Sequence, residues 1–558
     1  MKKIYPFLIL LLITIAAKAQ QPIPTDQPYG KVDDADVTMT ACDFEKDANA
    51  EVLIDKADLY YDQTFNIVMD HHKRVKIFND NGKDAANFKL VFVGYNHEEY
   101  ITGLQGETIN FVNGKQEVTK LDKKQIFTQV IDKYKSAIIF TMPNVKAGSV
   151  IDIKYTWASQ DDYVIPAWYF QSDIPVRYSE LFTHIPEYFY FSIQSHALAY
   201  MAINKHSFES QSLGSGADAL TFSINCNQRA MVNIPSLPDE PFMGARNDNL
   251  RSMYFQLTSF TPPLGFVHNI SDTWAKVGGI LADDEDFGRQ LKRKLTNEDA
   301  IITAAKALPT DDAKINYLFN TVKTAMKWNG DDDWYTIDGT SEAWDKKSGN
   351  STEINLILYH LLKKSGINAM PMVVSTHDHG RVNVFYTFLY QFNRAVVYIP
   401  VDSTRKYILD ASNKYNSCTE IPYNLLNSHG LYLDMDHKAY DILLLERTQP
   451  VRQSVFVNAE VKPDGKVEGT AQISSVSYDR INKISSYKTD GEKKYTDDLR
   501  GDDNSIKISS LKLENLDVDT LPLIEDIGFN LDLPGTDENY IYLNPNIFCS
   551  MKKNPFFE

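Results

Sequence analysis

The chain has 558 residues, a formal net charge of −17 and a sequence pI near 5.2. Its length exceeds what one hydrophobic core supports, so we expect about three domains. Hydrophobic residues make up 43% and aromatic residues 12%, a composition that excludes a wholly disordered chain. The acidic balance argues against nucleic acid and anionic membranes as partners, and solubility is its simplest explanation.

The first residues have the pattern of a secretory signal peptide. Two lysines follow the initial Met, an apolar stretch comes next, and an A-x-A cleavage site ends at Ala19. We therefore predict a signal peptide over 1–19 and a mature chain that begins at Gln20. The short basic start is typical of a bacterial protein, exported to the periplasm or cell surface. No later stretch reaches the roughly 18 apolar residues that span a bilayer, so we expect no membrane span after cleavage.

Strand patterns dominate the next part of the chain. After an N-terminal segment (20–50), alternating or continuous apolar runs recur, and turn sequences such as Asn-Gly separate them. The clearest runs are residues 65–69, 72–78, 108–112 and 150–157. Short strands at this spacing predict a β-sandwich domain over 51–260.

Four segments within residues 28–235 resemble, in the same order, domain of unknown function 3857. They are Gly30-Lys31-Val32, residues 72–77, residues 143–155 and residues 168–176. That domain typically precedes a transglutaminase-like domain in exported bacterial proteins. The resemblance therefore implies an order of domains, but it identifies no catalytic or binding residues.

Helical patterns follow over 271–328, and a further helix over 349–366 carries the most informative pattern. Five of its apolar residues follow i, i+3, i+4, i+7, i+8 spacing: Ile354, Ile357, Leu358, Leu361 and Leu362. Asn350 or Ser351 can cap its start, and Glu353 suits its first turn. A cysteine at such a start would be a nucleophile with a lowered pKa, but this chain has Ser351.

Apolar strand patterns come next, over 370–376, 392–399 and 406–412. This order resembles the transglutaminase-like superfamily, whose members are relatives of papain-type cysteine proteases. There the catalytic cysteine opens the helix, a histidine begins a following strand and an aspartate ends the next. The resemblance implies a papain-like α+β domain over 261–440. It places Ser351 at the cysteine position, Arg394 at the histidine position and Asp410 at the aspartate position.

Those three identities argue against catalysis. A serine hydroxyl needs an adjacent base, and Arg394 cannot accept a proton because its pKa exceeds 12. The hydroxyl of Ser351 then has two possible roles. It is a helix cap, or it is a nucleophile served by a substitute base such as His360, His377 or His379.

Arg394 and Asp410 are expected to face one another on adjacent strands. In one interpretation they form a cross-strand ion pair that joins the two strands on which the superfamily has its catalytic histidine and aspartate. In the other, the guanidinium is presented to an acidic ligand.

Several residues are of types that bind metals, but none has the required spacing. Residues 377–379 (His-Asp-His) precede Gly380, which favours a polar loop over a metal site. The three aspartates at 331–333 lack the twelve-residue ligand pattern and closing glutamate of a calcium loop, so a solvated loop is expected. Trp328 and Trp334 bracket these aspartates, and they either line the rim of the cleft or pack in the core. The cysteines have no zinc spacing and no assignable pairing: Cys42, Cys226, Cys418 and Cys549.

The last part of the chain, 441–558, returns to strand patterns. Runs over 455–461 and 467–473 flank the turn sequence Lys-Pro-Asp-Gly-Lys, which predicts a hairpin. Two aromatic residues lie near the end of the sequence, and we expect the chain to stop inside this final β-domain.

The sequence thus predicts an α+β multidomain protein: an N-terminal β-sandwich, a central transglutaminase-like domain and a C-terminal β-domain. The expected function is non-catalytic binding or scaffolding in a bacterial envelope, with a protein or glycan partner, no cofactor and no metal. The alternative is an enzyme, namely an amidase, protease or acyltransferase that uses Ser351 with an unidentified base. Assays on amide and isopeptide substrates separate the two classes.

Overall fold

The computed structural model describes residues 27–549, 554 and 556, apart from 162, 197–199, 215–218, 264, 271–272, 403–404, 502–504, 519–520 and 534–539. The predicted signal peptide lies outside the described residues. Strands make up 40% of the described residues and helices 22%, which shows a mainly β, multidomain protein with several sheets. Among the described residues, no helix is both long and apolar enough to cross a membrane.

The chain divides into two compact units. Unit 1 comprises Met1–Asp239 and Asp248–Ile270, and unit 2 comprises Glu240–Asn247 and Ser271–Glu558. Each unit contains sheets and a hydrophobic core of its own.

Unit 1 is built almost entirely of strands, with one short helix near its start and another, α2, at the residues where the division falls. These elements are α1 (Asp34–Thr38), β1 (Ala50–Tyr61), β2 (Ile67–Ile77), β3 (Asn87–Val93), β4 (Glu99–Val112), β5 (Lys115–Lys120), β6 (Phe127–Val130), β7 (Lys135–Thr141), β8 (Val150–Ser159), β9 (Trp168–Tyr169), β10 (Val176–Pro186), β11 (Phe189–His196), β12 (Ile203–Leu213), β13 (Leu220–Ile234), α2 (Arg246–Asn249), β14 (Ser252–Phe260) and β15 (His268–Asn269).

An eight-stranded sheet is the centre of unit 1. Its strand order is β12-β13-β10-β1-β2-β8-β4-β5, and only the β1–β10 pair among these is parallel. Two smaller sheets, β11-β14-β15 with β9 and β3-β7-β6, accompany it. Buried side chains from all three sheets, such as Ile151, Phe140 and Phe255, belong to one core. Burial of apolar surface therefore holds the sheets together.

Among its described residues, unit 2 contains the remaining strands and six α-helices. They are α3 (Trp274–Asp283), α4 (Glu298–Lys306), α5 (Asp311–Ala325), β16 (Lys327–Trp328), α6 (Thr340–Lys346), β17 (Ser348–Gly349), α7 (Ser351–Lys364), β18 (Met370–Val374), β19 (Arg394–Pro400), β20 (Lys406–Leu409), β21 (Ser428–Asp434), β22 (Ala439–Leu445), β23 (Gln453–Val461), β24 (Lys466–Ser475), α8 (Ser477–Arg500), β25 (Ile506–Glu514) and β26 (Leu523–Asp532).

Helix α7 lies at the centre of unit 2, beside the antiparallel sheet β20-β19-β18-β21-β22. The side chain of Asn350 caps it, and the Glu353 carboxylate accepts a hydrogen bond from the Asn350 backbone amide, which completes a capping box. A Cβ at Gly349 would lie 2.5 Å from Glu353 Oε2, so this start needs a glycine. The sequence predicted one apolar face, yet every residue from Ser351 to Leu362 is buried. Its buried polar residues Thr352, Glu353, Asn355 and His360 each have hydrogen-bond partners.

The C-terminal sheet of unit 2 has the order β23-β24-β26-β25. The predicted hairpin is confirmed: β23 pairs with β24, and Gly465 in the turn has a φ of 81°. The strand patterns of this region did not predict helix α8, which spans 24 residues. That helix is broken at Gly491, where φ is 82°, and few of its residues are buried. A polar helix of this kind gives no clear apolar period in the sequence.

Candidate functional site

Ser351 is the first residue of α7, and its hydroxyl is fully buried. The cap is Asn350, whose side chain accepts a hydrogen bond from the Glu353 amide. Within the described part of the chain, Ser351 Oγ has no hydrogen-bond partner. Its backbone amide donates to the carbonyl of Asp331 at 3.3 Å. The residue at the predicted nucleophile position is therefore enclosed and lacks a base.

Arg394 opens β19, and Asp410 directly follows β20. Arg394 Nη1 lies 2.7 Å from Asp410 Oδ2, so the structure brings these two predicted residues together. A third residue completes the cluster, because Arg394 Nε and Nη2 donate to the two carboxylate oxygens of Asp332 at 3.0 and 2.6 Å. The guanidinium is thus held by two carboxylates, one of them in the bidentate arrangement that arginine favours.

Asp410 is buried and accepts hydrogen bonds on both oxygens. Its Oδ1 receives the side-chain amide of Asn355 at 2.9 Å and the hydroxyl of Ser412 at 2.6 Å. Burial disfavours the charged carboxylate, but the Arg394 guanidinium and these donors outweigh it and hold the pKa of Asp410 below its usual range. The same cluster raises the pKa of Arg394 despite its burial, through Asp410 and Asp332. Both groups stay ionised at neutral pH.

The three aspartates at 331–333 form part of this cluster and are not a plain solvated loop. Trp328 Nε1 donates to the Asp331 carbonyl at 2.8 Å, and the Trp328 ring lies 5.5 Å from the Arg394 guanidinium. Thr352 Oγ1 donates to the Asp333 carbonyl at 2.6 Å. The role of Asp332 could not be predicted from the sequence, because its partner Arg394 is 62 residues away. The run of acidic residues near Trp328 was the one local feature that pointed to it.

Thr352 links this segment to the sheet. Its hydroxyl accepts a hydrogen bond from the Ala395 amide at 2.8 Å while it donates to the Asp333 carbonyl. The start of α7, the aspartate segment and the start of β19 are therefore joined by consecutive hydrogen bonds. This arrangement covers Ser351 and fixes the position of Arg394.

The three candidate substitute bases are placed elsewhere. His360 is buried, with Nε2 2.8 Å from Glu298 Oε2 and Nδ1 3.2 Å from the Leu291 carbonyl. Nine residues along α7 correspond to two and a half turns, about 13 Å, which puts His360 on the opposite face from Ser351. Its imidazole cannot take a proton from that hydroxyl.

His377 and His379 belong to a turn after β18. His377 Nδ1 lies 3.3 Å from Asp378 Oδ1, and His379 Nδ1 lies 3.1 Å from Ser375 Oγ. In the part of the chain that the structure describes, neither ring has a hydrogen bond to Ser351. Cys42, Cys226 and Cys549 are free thiols, and Cys42, Cys226 and Cys418 are buried. None of them lies at the start of α7.

One part of the chain matches the model of a known protein family. Residues 65–213 match the model of DUF3857, a domain of unknown function with a solved structure. This confirms the predicted resemblance for that range; the Gly30-Lys31-Val32 segment and the residues after 213 lie outside the match. No curated protein matches the chain.

A solved structure covers more of the chain at lower similarity. It is the crystal structure of a protein from Parabacteroides distasonis ATCC 8503 that is described as a putative protease. The two share 11% sequence identity with a TM-score of 0.49, over 87% of this chain and 93% of that chain. A likeness of this strength supports no inference about activity.

Proposed function

We propose that this chain is an exported, transglutaminase-like protein that has lost catalysis and acts by binding or scaffolding in a bacterial envelope. The order of elements supports this assignment. Helix α7 begins at Ser351, β19 begins at Arg394, and Asp410 follows β20. These are the places of cysteine, histidine and aspartate in the superfamily that the sequence resembles.

The observation that carries the proposal is the double pairing of Arg394. A transglutaminase-like or papain-like site needs a neutral imidazole at this position to take a proton from the nucleophile. Here the side chain is a guanidinium that donates to both Asp332 and Asp410 and has no lone pair to offer. A fold persists when its chemistry is lost, so the site decides the function.

A binding role is supported by the loop between β18 and β19. Phe385 is 92% exposed and Tyr390 is 58% exposed. Tyr386, Phe388 and Tyr390 form a row, with neighbouring ring centroids 5.4 and 5.2 Å apart. Exposed aromatic side chains are enriched where proteins contact one another, and we therefore favour a protein partner over a glycan.

Activity assays test the loss of catalysis. The mature protein, incubated with amide and isopeptide substrates, should show no hydrolysis or transfer above background, and Ser351→Ala should be indistinguishable from it. Ser375→Ala, a serine hydroxyl away from the helix start, is the matched control. Turnover that disappears in Ser351→Ala but persists in Ser375→Ala would make the chain an amidase, protease or acyltransferase.

The binding role and export need separate experiments. The protein recovered from the periplasmic fraction should begin at Gln20 by N-terminal sequencing; recovery of the uncleaved form in the cytoplasm would contradict export. Cross-linking in the envelope should yield a defined protein partner that is lost with Phe385→Ala plus Tyr390→Ala. Tyr163→Ala, an exposed aromatic in unit 1, should leave the partner in place. Identical cross-links in the parent chain, in the double variant and in Tyr163→Ala would rule out this loop as the contact surface.

A further inference from the structure

Three potential metal ligands meet on one face of the eight-stranded sheet of unit 1. His184 of β10 pairs directly with Cys226 of β13, and Cys226 pairs in turn with Ser207 of β12. Glu209 is two residues beyond Ser207, so its side chain is on the same face. Strand register therefore brings together an imidazole, a thiol and a carboxylate.

The donor atoms have the separations that a small tetrahedral ion requires. Cys226 Sγ lies 3.4 Å from His184 Nδ1, and the ligand atoms of His184, Glu209 and Cys226 all lie within 4.8 Å of one another. Zinc–sulfur and zinc–nitrogen bonds in a tetrahedron place those two atoms about 3.6 Å apart. We propose that His184, Glu209 and Cys226 bind a zinc-class divalent cation, with a fourth position left for water.

The second nitrogen of the histidine supports this assignment. His184 Nε2 lies 3.1 Å from the carboxylate of Asp58 on β1. Histidines that bind metals usually donate their other ring N–H to a carboxylate or carbonyl, which fixes the tautomer that leaves the ligand nitrogen free. Asp58 is on the strand next to β10, with Tyr60 paired to His184, so the same sheet supplies this supporting residue.

The charges around the thiol also favour a cation. A carboxylate oxygen of Glu209 lies within 4.8 Å of Cys226 Sγ, and the Asp58 carboxylate lies 3.1 Å from the other ring nitrogen of His184. Both carboxylates would attract a dication bound among these ligands. The residue types fit zinc, since thiolate, imidazole and carboxylate are its usual protein ligands.

The same residues are poorly suited to nucleophilic catalysis. A thiol, an imidazole and a carboxylate in line are the parts of a cysteine-enzyme triad, and Cys226, His184 and Asp58 supply them. However, Cys226 is only 1% exposed, and the Glu209 carboxylate beside it disfavours the thiolate. Reactive cysteines are found in electropositive, accessible surroundings, which this is not.

A second cluster in unit 1 provides the contrast. Cys42, Asp43 and Glu51 also place ligand atoms within 4.8 Å of one another. There, Arg177 Nε lies 2.7 Å from Glu51 Oε1, and Arg177 Nη2 lies 2.8 Å from Asp43 Oδ1. The guanidinium already supplies the positive charge, so we expect no metal at this cluster.

Metal binding by the full mature chain tests the proposal. After removal of metals with a chelator, titration with Zn²⁺ should show one tight site by calorimetry, and Co²⁺ should give a thiolate-to-cobalt charge-transfer band. Cys226→Ser should abolish the band, and both it and His184→Ala should weaken Zn²⁺ binding at least tenfold. Asp58→Asn should weaken binding by about 10- to 100-fold, the usual effect of losing such a supporting carboxylate.

The second cluster supplies matched controls. Cys42→Ser should bind Zn²⁺ like the parent chain and keep the cobalt band, whereas Glu209→Gln should keep the band with weaker binding. Circular dichroism of each variant checks that the sheet is intact. A folded parent chain without a Zn²⁺ site, or a cobalt band that survives Cys226→Ser, would overturn the proposal.

Discussion

The Arg394 cluster of unit 2 and the His184 cluster of unit 1 are built from similar groups but differ in charge balance. Arg394 is held between Asp332 and Asp410, and Asp410 also accepts a hydrogen bond from Asn355. The His184 cluster gathers a thiol, an imidazole and two carboxylates, those of Glu209 and Asp58. The first cluster contains its own counter-charge, whereas the charged groups that we identify in the second are carboxylates.

This difference in charge balance indicates which of the two polar clusters can bind a ligand. A site whose donors, acceptors and charges are paired internally has little to offer a substrate, even when its position in the fold is that of an active site. A site whose ligand atoms converge without a cation has capacity left to bind one. The Arg394 cluster is therefore closed, and the His184 cluster on the sheet of unit 1 is open.

The largest expected effect follows from removing the counter-charge of the closed cluster. Arg394→Met leaves the buried Asp410 carboxylate and Asp332 without their cation. Breaking a buried ion pair from one side costs about 3 to 5 kcal/mol, and we expect a loss of this size in the free energy of unfolding. Urea denaturation monitored by fluorescence measures it. A loss under about 1 kcal/mol would mean that the cluster does not stabilise the fold.

Removing both charges sharpens the same test. Arg394→Met with Asp410→Leu removes the buried Asp410 carboxylate and leaves only the partly exposed Asp332 unpaired, so it should cost less than Arg394→Met alone. Because the two side chains are in contact, the single changes should not add. Strict additivity of Arg394→Met and Asp410→Leu would indicate that the pair contributes no coupling energy.

The lowered pKa of Asp410 predicts the pH dependence of stability. A carboxyl group whose folded-state pKa lies below its unfolded value of about 3.9 stabilises the protein fully above that value. Its contribution is lost as pH falls from about 4 through the lower, folded-state pKa. The difference in unfolding free energy between the parent chain and Asp410→Asn should therefore shrink below pH 4. A difference that stays constant down to pH 2 would show that folding does not lower the pKa of Asp410.

The third expected effect concerns the enclosed serine. Ser351→Cys should remain inactive on amide substrates, because Arg394 offers no base and general base catalysis contributes roughly 100- to 10,000-fold. The introduced thiol should also resist alkylation in the native protein and react once the chain is unfolded, since the side chain is fully buried. Mass spectrometry of the alkylated peptides measures this, with the partly exposed Cys549 as the internal reactive control. Rapid native alkylation of the new thiol would contradict the enclosed geometry.

Local patterns predicted the parts of the fold that depend on neighbouring residues. The start of α7 and the hairpin around Gly465 were read from caps, apolar periods and turn residues. Helix α8 was missed because its buried side chains are few and widely spaced, and Tyr478, Ile484 and Tyr495 do not form a continuous apolar stripe. Hydrophobic period is a weak signal for a helix that is mostly exposed.

The residues that define both clusters depend on strand register and loop placement, which local spacing does not encode. Asp332 meets Arg394 across 62 residues, and Cys226 meets His184 across 42. The absence of a zinc spacing among the cysteines led to the expectation of no metal site. A short spacing between ligands identifies only sites that one short segment supplies, whereas the ligands proposed here come from three separate strands of a sheet.

The smallest expected effects distinguish the outer partner of Arg394 from an ordinary surface pair. Asp332 is 22% exposed at its side chain and holds the guanidinium with two hydrogen bonds, so Asp332→Asn should cost about 1 to 2 kcal/mol. Arg405 pairs with Asp312 at 3.0 Å, but both side chains are more than half exposed, so Arg405→Met should cost at most about 1 kcal/mol. Added salt should reduce the Arg405 effect further and change the Asp332 effect less, because screening acts mainly on exposed charges. Equal costs for the two substitutions, with equal salt dependence, would mean that Asp332 is only a surface partner and that Arg394 is free to contact a ligand from the cleft side.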